Sequence, residues 1–195
     1  MSAREAFPAT SMDAECTAPD MFPMTEVDHR PDRPPPSVDS HTFRTVMGSF
    51  ASGVCVVTTT DGAGVPRGFT CSAVCSVSAE PPLLLAGVSN RSGTLAAVLV
   101  RGRFAVNMLD HNARQVSQVF ASPLPDKFDR VRWGRGRVSG MPVLADVVAH
   151  AECELERTVP AGDHTLLMGR LIGGGCGPDR LPLAYWRGGY AEVLR

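Results

Sequence analysis

The 195-residue chain carries 19 Lys and Arg against 20 Asp and Glu, and a formal charge of −1 excludes a broadly basic nucleic-acid binder. Its six cysteines (16, 55, 71, 75, 153 and 176) include no Cys-x-x-Cys pair, which excludes a zinc or disulfide framework. No apolar run is long enough to span a bilayer, so no membrane partner is expected and the chain is read as soluble and cytoplasmic.

Residues 1–40 are read as a disordered, acidic, Pro-rich arm. Seven of the 16 prolines lie between Pro8 and Pro36, and eight acidic residues stand against three arginines. A stretch of that kind, without apolar periodicity, cannot bury enough surface to offset its ordering entropy. It also lacks a basic stretch followed by a long apolar run, so it is not read as a secretory signal. Residues 41–195 are expected to form one domain with a single core. That body carries 16 Lys and Arg against 12 Asp and Glu, a mild excess that suits anionic small molecules.

Phe43, Val46, Met47 and Phe50 recur at helical spacing and predict a short amphipathic helix that ends by Gly53. A β-branched strand follows over 54–60, then a turn at Asp61-Gly62-Ala63-Gly64 and a second strand-like run over 67–78. Pro81-Pro82 breaks the chain before a buried strand over 83–88. Ser92 is placed to cap a helix with Leu95, Val98 and Leu99 on its apolar face, ending at Gly102.

A strand over 104–109 leads to a helix through Val116, Val119 and Phe120, capped by Asp110 or Asn112. Residues 123–140 read as irregular. Three strands, 149–159, 164–172 and 184–194, close the chain, with a glycine-rich loop over 173–178 before the last. Many hairpin-joined strands with short helices argue for a closed antiparallel sheet. No Gly-x-Gly-x-x-Gly follows a strand, so a doubly wound dinucleotide fold is not expected.

Three segments carry candidate chemistry. Thr70, Ser72, Ser76 and Ser78 alternate with mostly apolar neighbours, as a strand with one polar face requires. That face meets either water or the polar edge of a ligand. Ser89-Asn90-Arg91-Ser92-Gly93-Thr94 joins a strand to a helix start, where free N–H groups, hydroxyls and a guanidinium make either an ordinary cap or a phosphate cradle. Lys127, the one lysine, could add a second positive charge there. Finally, Gly162-Asp163-His164-Thr165 sets a histidine in a tight reversal at a sheet rim. Arg130, Arg132, Arg135 and Arg137 around Trp133 read as a solvated face.

Taken in order, the motifs FRTVMGSFASGV (43–54), GFTCSAVCSVSAEPPLLL (68–85), NRSGT (90–94), FAVNML (104–109), FASPLPDKFD (120–129), GDHTLLMG (162–169) and PLAYWRGGY (182–190) resemble the short-chain flavin reductase family. That family includes the reductase components of two-component flavin-dependent monooxygenases. The resemblance covers nearly all of the body and leaves out the arm. It implies a mainly β fold, an FMN-binding split β-barrel of Greek-key antiparallel type, assembled as a homodimer.

It further implies NAD(P)H-dependent reduction of FAD or FMN, with NADH or NADPH as donor, no metal, and a partner monooxygenase supplied through reduced flavin. By motif position, Thr70, Cys71, Ser72, Ala73, Ser76, Val77 and Ser78 line the flavin ring and ribityl chain. Ser89, Asn90, Arg91, Ser92 and Thr94 hold its phosphate, with Lys127 and Phe128 close by. His164 falls on the nicotinamide side as the catalytic candidate, with Trp186 and Tyr190 as further candidates there. Val74-Cys75 departs from the family, where a bulkier or hydroxyl-bearing pair is common, which bears on flavin preference. A non-catalytic flavin carrier on the same fold and an oxidase resembling the pyridoxamine-phosphate oxidases are the rival readings.

Overall fold

The structure, a computed structural model, describes residues 36–177 and 179–193. The arm is thus covered only at its end: residues 1–35 lie outside the described residues, and Asp39 and Ser40 belong to the first helix. Asp39 is the N-cap of α1 (Ser40–Gly48), its Oδ1 accepting from the Thr42 N–H at 2.7 Å. The helix forms where its spacing predicts, but it buries no residue.

Twelve strands follow the order β1 (Ser52–Gly53), β2 (Cys55–Thr60), β3 (Pro66–Cys71), β4 (Val74–Ala79), β5 (Pro82–Ser89), β6 (Arg103–Leu109), β7 (Trp133–Arg135), β8 (Pro142–Leu144), β9 (Val147–Ala161), β10 (His164–Cys176), β11 (Ala184–Trp186) and β12 (Gly189–Ala191). Helix α2 (Gly93–Arg101) separates β5 from β6, and α3 (Arg114–Ala121) with a 3-10 turn at Lys127–Arg130 separates β6 from β7. The main sheet has seven strands in the order β3-β2-β6-β9-β10-β5-β4, every pair antiparallel. A small sheet, β1-β11-β12, and the β7-β8 hairpin complete the architecture.

β2 explains why the sheet is covered on both sides. Its alternate residues face two separate clusters: Val57 packs with Phe104, Val106 and Leu167, whereas Val56 packs with Leu109, Phe120 and Leu144. Every residue of the Cys-Val-Val-Thr-Thr-Thr run is therefore buried. The threonines remain satisfied, since Thr58 donates to Pro142 O at 2.5 Å and Thr59 to Arg103 O at 2.7 Å. Burial pushes the Cys55 and Cys153 thiols up to about 12, so both stay protonated packing groups.

Five sequence expectations are corrected. The run over 67–78 is two strands, because the chain turns at Ser72-Ala73 and passes from β2's side to β5's, where Gly87 N donates to Ala73 O at 2.8 Å. The glycine-rich loop belongs to β10, whose Gly173 to Cys176 pair with Glu152 to Ala149 of β9. Gly174 permits this approach, since a Cβ there would lie 2.6 Å from His150 O. The last strand is the β11–β12 hairpin around Arg187 and Gly188, both at positive φ (47° and 81°). Helix α3 has Ala113 at its N-cap and no side-chain cap. Asp110 is instead buried, accepting from Asn112 N at 2.8 Å and from Arg180 Nη1 at 2.6 Å. The segment read as irregular holds the 3-10 turn and β7. Among the described residues no helix is long and apolar enough to cross a membrane.

Candidate functional site

The β9–β10 reversal is built by Gly162, whose φ of +63° places it in the left-handed region that favours glycine. His164 then opens β10, opposite Ala161 on β9 and Ser89 on β5. That second pairing brings the reversal and the 89–94 segment to one end of the sheet. The His164 side chain is half exposed, with Nδ1 2.8 Å from Asp163 Oδ1. The hydrogen bond and charge of His164 hold the Asp163 carboxyl below its usual range, and Arg91 adds to the effect.

Beyond the β5–β10 ladder the two segments remain tied. Asn90 N donates to Asp163 O at 3.0 Å, and its side chain meets Gly162 O at 3.3 Å and Thr165 Oγ1 at 2.7 Å. Ser89 Oγ accepts from Arg91 N, and Ser92 caps α2 by accepting from Thr94 N, both at 3.3 Å. Thr94 itself is buried. The α2 N-terminus thus presents the positive end of the helix dipole, with Thr94 N and Leu95 N bonded back to Ser92, and the space beside Gly93 is open.

Ser92 and Thr94 share a cavity of about 760 Å³ with Arg67, Phe69, Lys127 and Phe128. Lys127 Nζ donates to Phe120 O (3.0 Å) and Gly68 O (3.5 Å), and no carboxylate of the described residues pairs with it. Partial burial lowers its pKa from the usual lysine value, though not its ability to face an anion. Phe128 fixes this corner, packed edge-on against Phe120 (5.0 Å between centroids) and Trp133 (5.5 Å). Cation, hydroxyl and helix N-terminus form a donor set suited to a phosphate.

The hydroxyl-rich run divides at the corner. Ser72 and Ala73 are exposed there, while Cys71 is buried, its Sγ 3.3 Å from Gly87 O. Thr70 is turned inward, donating to Ser117 O at 2.6 Å, and Tyr190 OH donates to Ser117 Oγ at 3.0 Å. Ser76 and Ser78 line a second, more apolar cavity of about 380 Å³ with Val74, Cys75, Leu83 and Met108. They do so across a bulge at Val77, which is exposed. A simple one-faced strand does not describe this segment.

Trp186 and Tyr190 have partners away from the His164 turn. Trp186 Nε1 donates to Ser49 O at 3.2 Å beneath the Arg187 guanidinium. Tyr190 stands on Thr70's side through Ser117, a residue that sequence alone did not single out because it lies mid-helix in α3. Two of the four arginines of the cluster are matched by acids: Arg130 pairs with Asp126 and Arg132 with Asp146.

The sequence profile of the Flavin reductase like domain matches residues 47–194. Over 163 residues the chain is 49% identical to a flavin reductase (NADH) of Kitasatospora aureofaciens, covering 83% of this chain and 85% of that one. It is 36% identical over 157 residues to HsaB, the reductase subunit of a flavin-dependent monooxygenase of Rhodococcus jostii, covering 80% of each. Among solved structures, the NADH:FAD oxidoreductase SgcE6 of Streptomyces globisporus, in complex with NAD and FAD fragments, superposes with a TM-score of 0.76. Its identity is 34%, over 80% of this chain and 93% of that one.

Proposed function

Since the chain belongs to the flavin reductase-like family, we propose that it reduces free FAD or FMN with NADH or NADPH and releases the product to a separate flavin-dependent monooxygenase. The observation that carries this reading is the pairing of Ser89 with His164, which sets the phosphate-type segment beside the histidine turn. When bound, the nicotinamide supplies the hydride and the flavin ring accepts it, so the protein's contribution is orientation.

The α2 N-terminus, Ser92 and Lys127 hold the flavin phosphate. The exposed corner at Ser72 and Ala73, with Ser76 and Ser78, meets the ring and ribityl chain, and the Tyr190–Ser117–Thr70 chain stiffens the strand beneath it. His164 positions the nicotinamide half and moves no obligatory proton. The protein acts in the cytoplasm as a homodimer, and the exposed stripe Phe43, Val46, Met47 and Phe50 forms part of the interface.

The test is consumption of NADH and of NADPH with FAD, with FMN and with no flavin. Oxidation that requires added flavin is expected. Flavin binding without oxidation under every combination would leave a carrier and overturn the reading.

A further inference from the structure

Asn90 lies inside the segment proposed to hold phosphate, yet its hydrogen bonds run the other way. Its N–H reaches Asp163 O at 3.0 Å, its Nδ2 reaches Gly162 O at 3.3 Å, and its Oδ1 accepts from Thr165 Oγ1 at 2.7 Å. Those three residues surround His164 in the chain. The turn itself is exposed, with the Asp163 side chain 95% accessible and Gly162 in a left-handed conformation. A reversal of that kind gains little rigidity from packing, so cross-strand bonds decide where it sits.

We propose that Asn90 is a positioning residue for the nicotinamide side. It clamps the His164 turn to the flavin-phosphate segment, so that the two cofactors are presented at a fixed spacing. The inference rests on the reading of His164 given above. An asparagine suits the task because its one side chain offers an acceptor to the Thr165 hydroxyl and a donor to the Gly162 carbonyl. An aspartate keeps the first bond but turns a carboxylate oxygen toward a carbonyl.

The experiment measures the KM for NADH, kcat, flavin Kd and thermal midpoint in Asn90→Ala, Asn90→Asp, Thr165→Val, Thr165→Ser and His164→Ala, with the double variants. Asn90→Ala is expected to raise the KM for NADH by about tenfold while flavin Kd changes by less than about twofold. Thr165→Val should raise the same KM and Thr165→Ser should restore it. Asn90→Ala combined with Thr165→Val, or with His164→Ala, should be less than multiplicative, because each pair acts through one arrangement.

Weakened flavin binding with an unchanged KM for NADH would make Asn90 a phosphate ligand and overturn the clamp. Multiplicative effects with His164→Ala would overturn it too, as would an unaltered KM in both Asn90→Ala and Thr165→Val. If His164→Ala itself leaves the KM for NADH unchanged, the reading of the site falls and the clamp with it. A raised KM in His164→Ala alone would sink only the clamp.

Discussion

Glu152 is a fully buried carboxylate that no local pattern announces. Burial pushes its pKa up, but the Ser139 hydroxyl and N–H and the Val138 N–H outweigh that, with His150 adding, and the net value lies below the usual 4.5. Its stabilising contribution is therefore complete above that value and is lost as the pH falls below it toward the folded one. Glu152→Ala should cost about 3 kcal/mol in urea unfolding, because the buried Ser139 N–H and hydroxyl lose their acceptor. Glu152→Gln should flatten the acid side of the stability–pH curve. Lys127 is the opposite case, a cation lining a cavity whose one carboxylate, Asp61, is paired with Arg67 instead. Lys127→Met should weaken flavin binding by about tenfold, read by titration, with kcat at saturating flavin retained. Ser92 and His164 were legible because cap and turn chemistry are local. Glu152 and the bonds that tie Asn90 to the His164 turn were not, since those partners lie 13 to 75 residues away.

Elements were readable where one physical rule decided them. Helix α2 begins at its serine cap and ends at Gly102 with φ +66°, both visible as residue types. The 67–78 run failed because Ser72-Ala73 carries no glycine or proline, and only the partner strand reveals the corner. The glycine run over 173–175 failed for the converse reason: it looks like a loop but is the close-packed end of β10 against β9. Gly169 in the same strand makes the point testable. A Cβ there would collide with the Phe104 ring and sit 3.0 Å from the Cys153 Cβ, both fully buried. Gly169→Ala should lower stability by about 1–3 kcal/mol in urea unfolding. Gly93→Ala, where the space is open, should change it far less.

At the scale of the molecule, the antiparallel, mainly β architecture followed from hairpin spacing, whereas the passage of one chain from the β3 edge to the β4 edge did not. What spacing also could not tell is whether an amphipathic helix finds its apolar partner within the same chain. Phe43, Val46 and Met47 are 58%, 64% and 50% exposed on α1, and Phe50 just beyond it is 71% exposed. A nine-residue helix is too short to hold itself in water by backbone bonds alone. Among the described residues its hydrogen bonds to the body, Arg187 N to Gly48 O and Trp186 Nε1 to Ser49 O, both lie at its C-terminal end. A second copy covering the stripe would supply the missing burial and join the interface proposed for the homodimer. Val46→Asp should then shift the protein toward monomer in sedimentation velocity and lower its thermal midpoint. Arg44→Glu on the same helix, outside the apolar stripe, should leave the assembly state as it was. A dimer that survives Val46→Asp unchanged would place the subunit contact elsewhere.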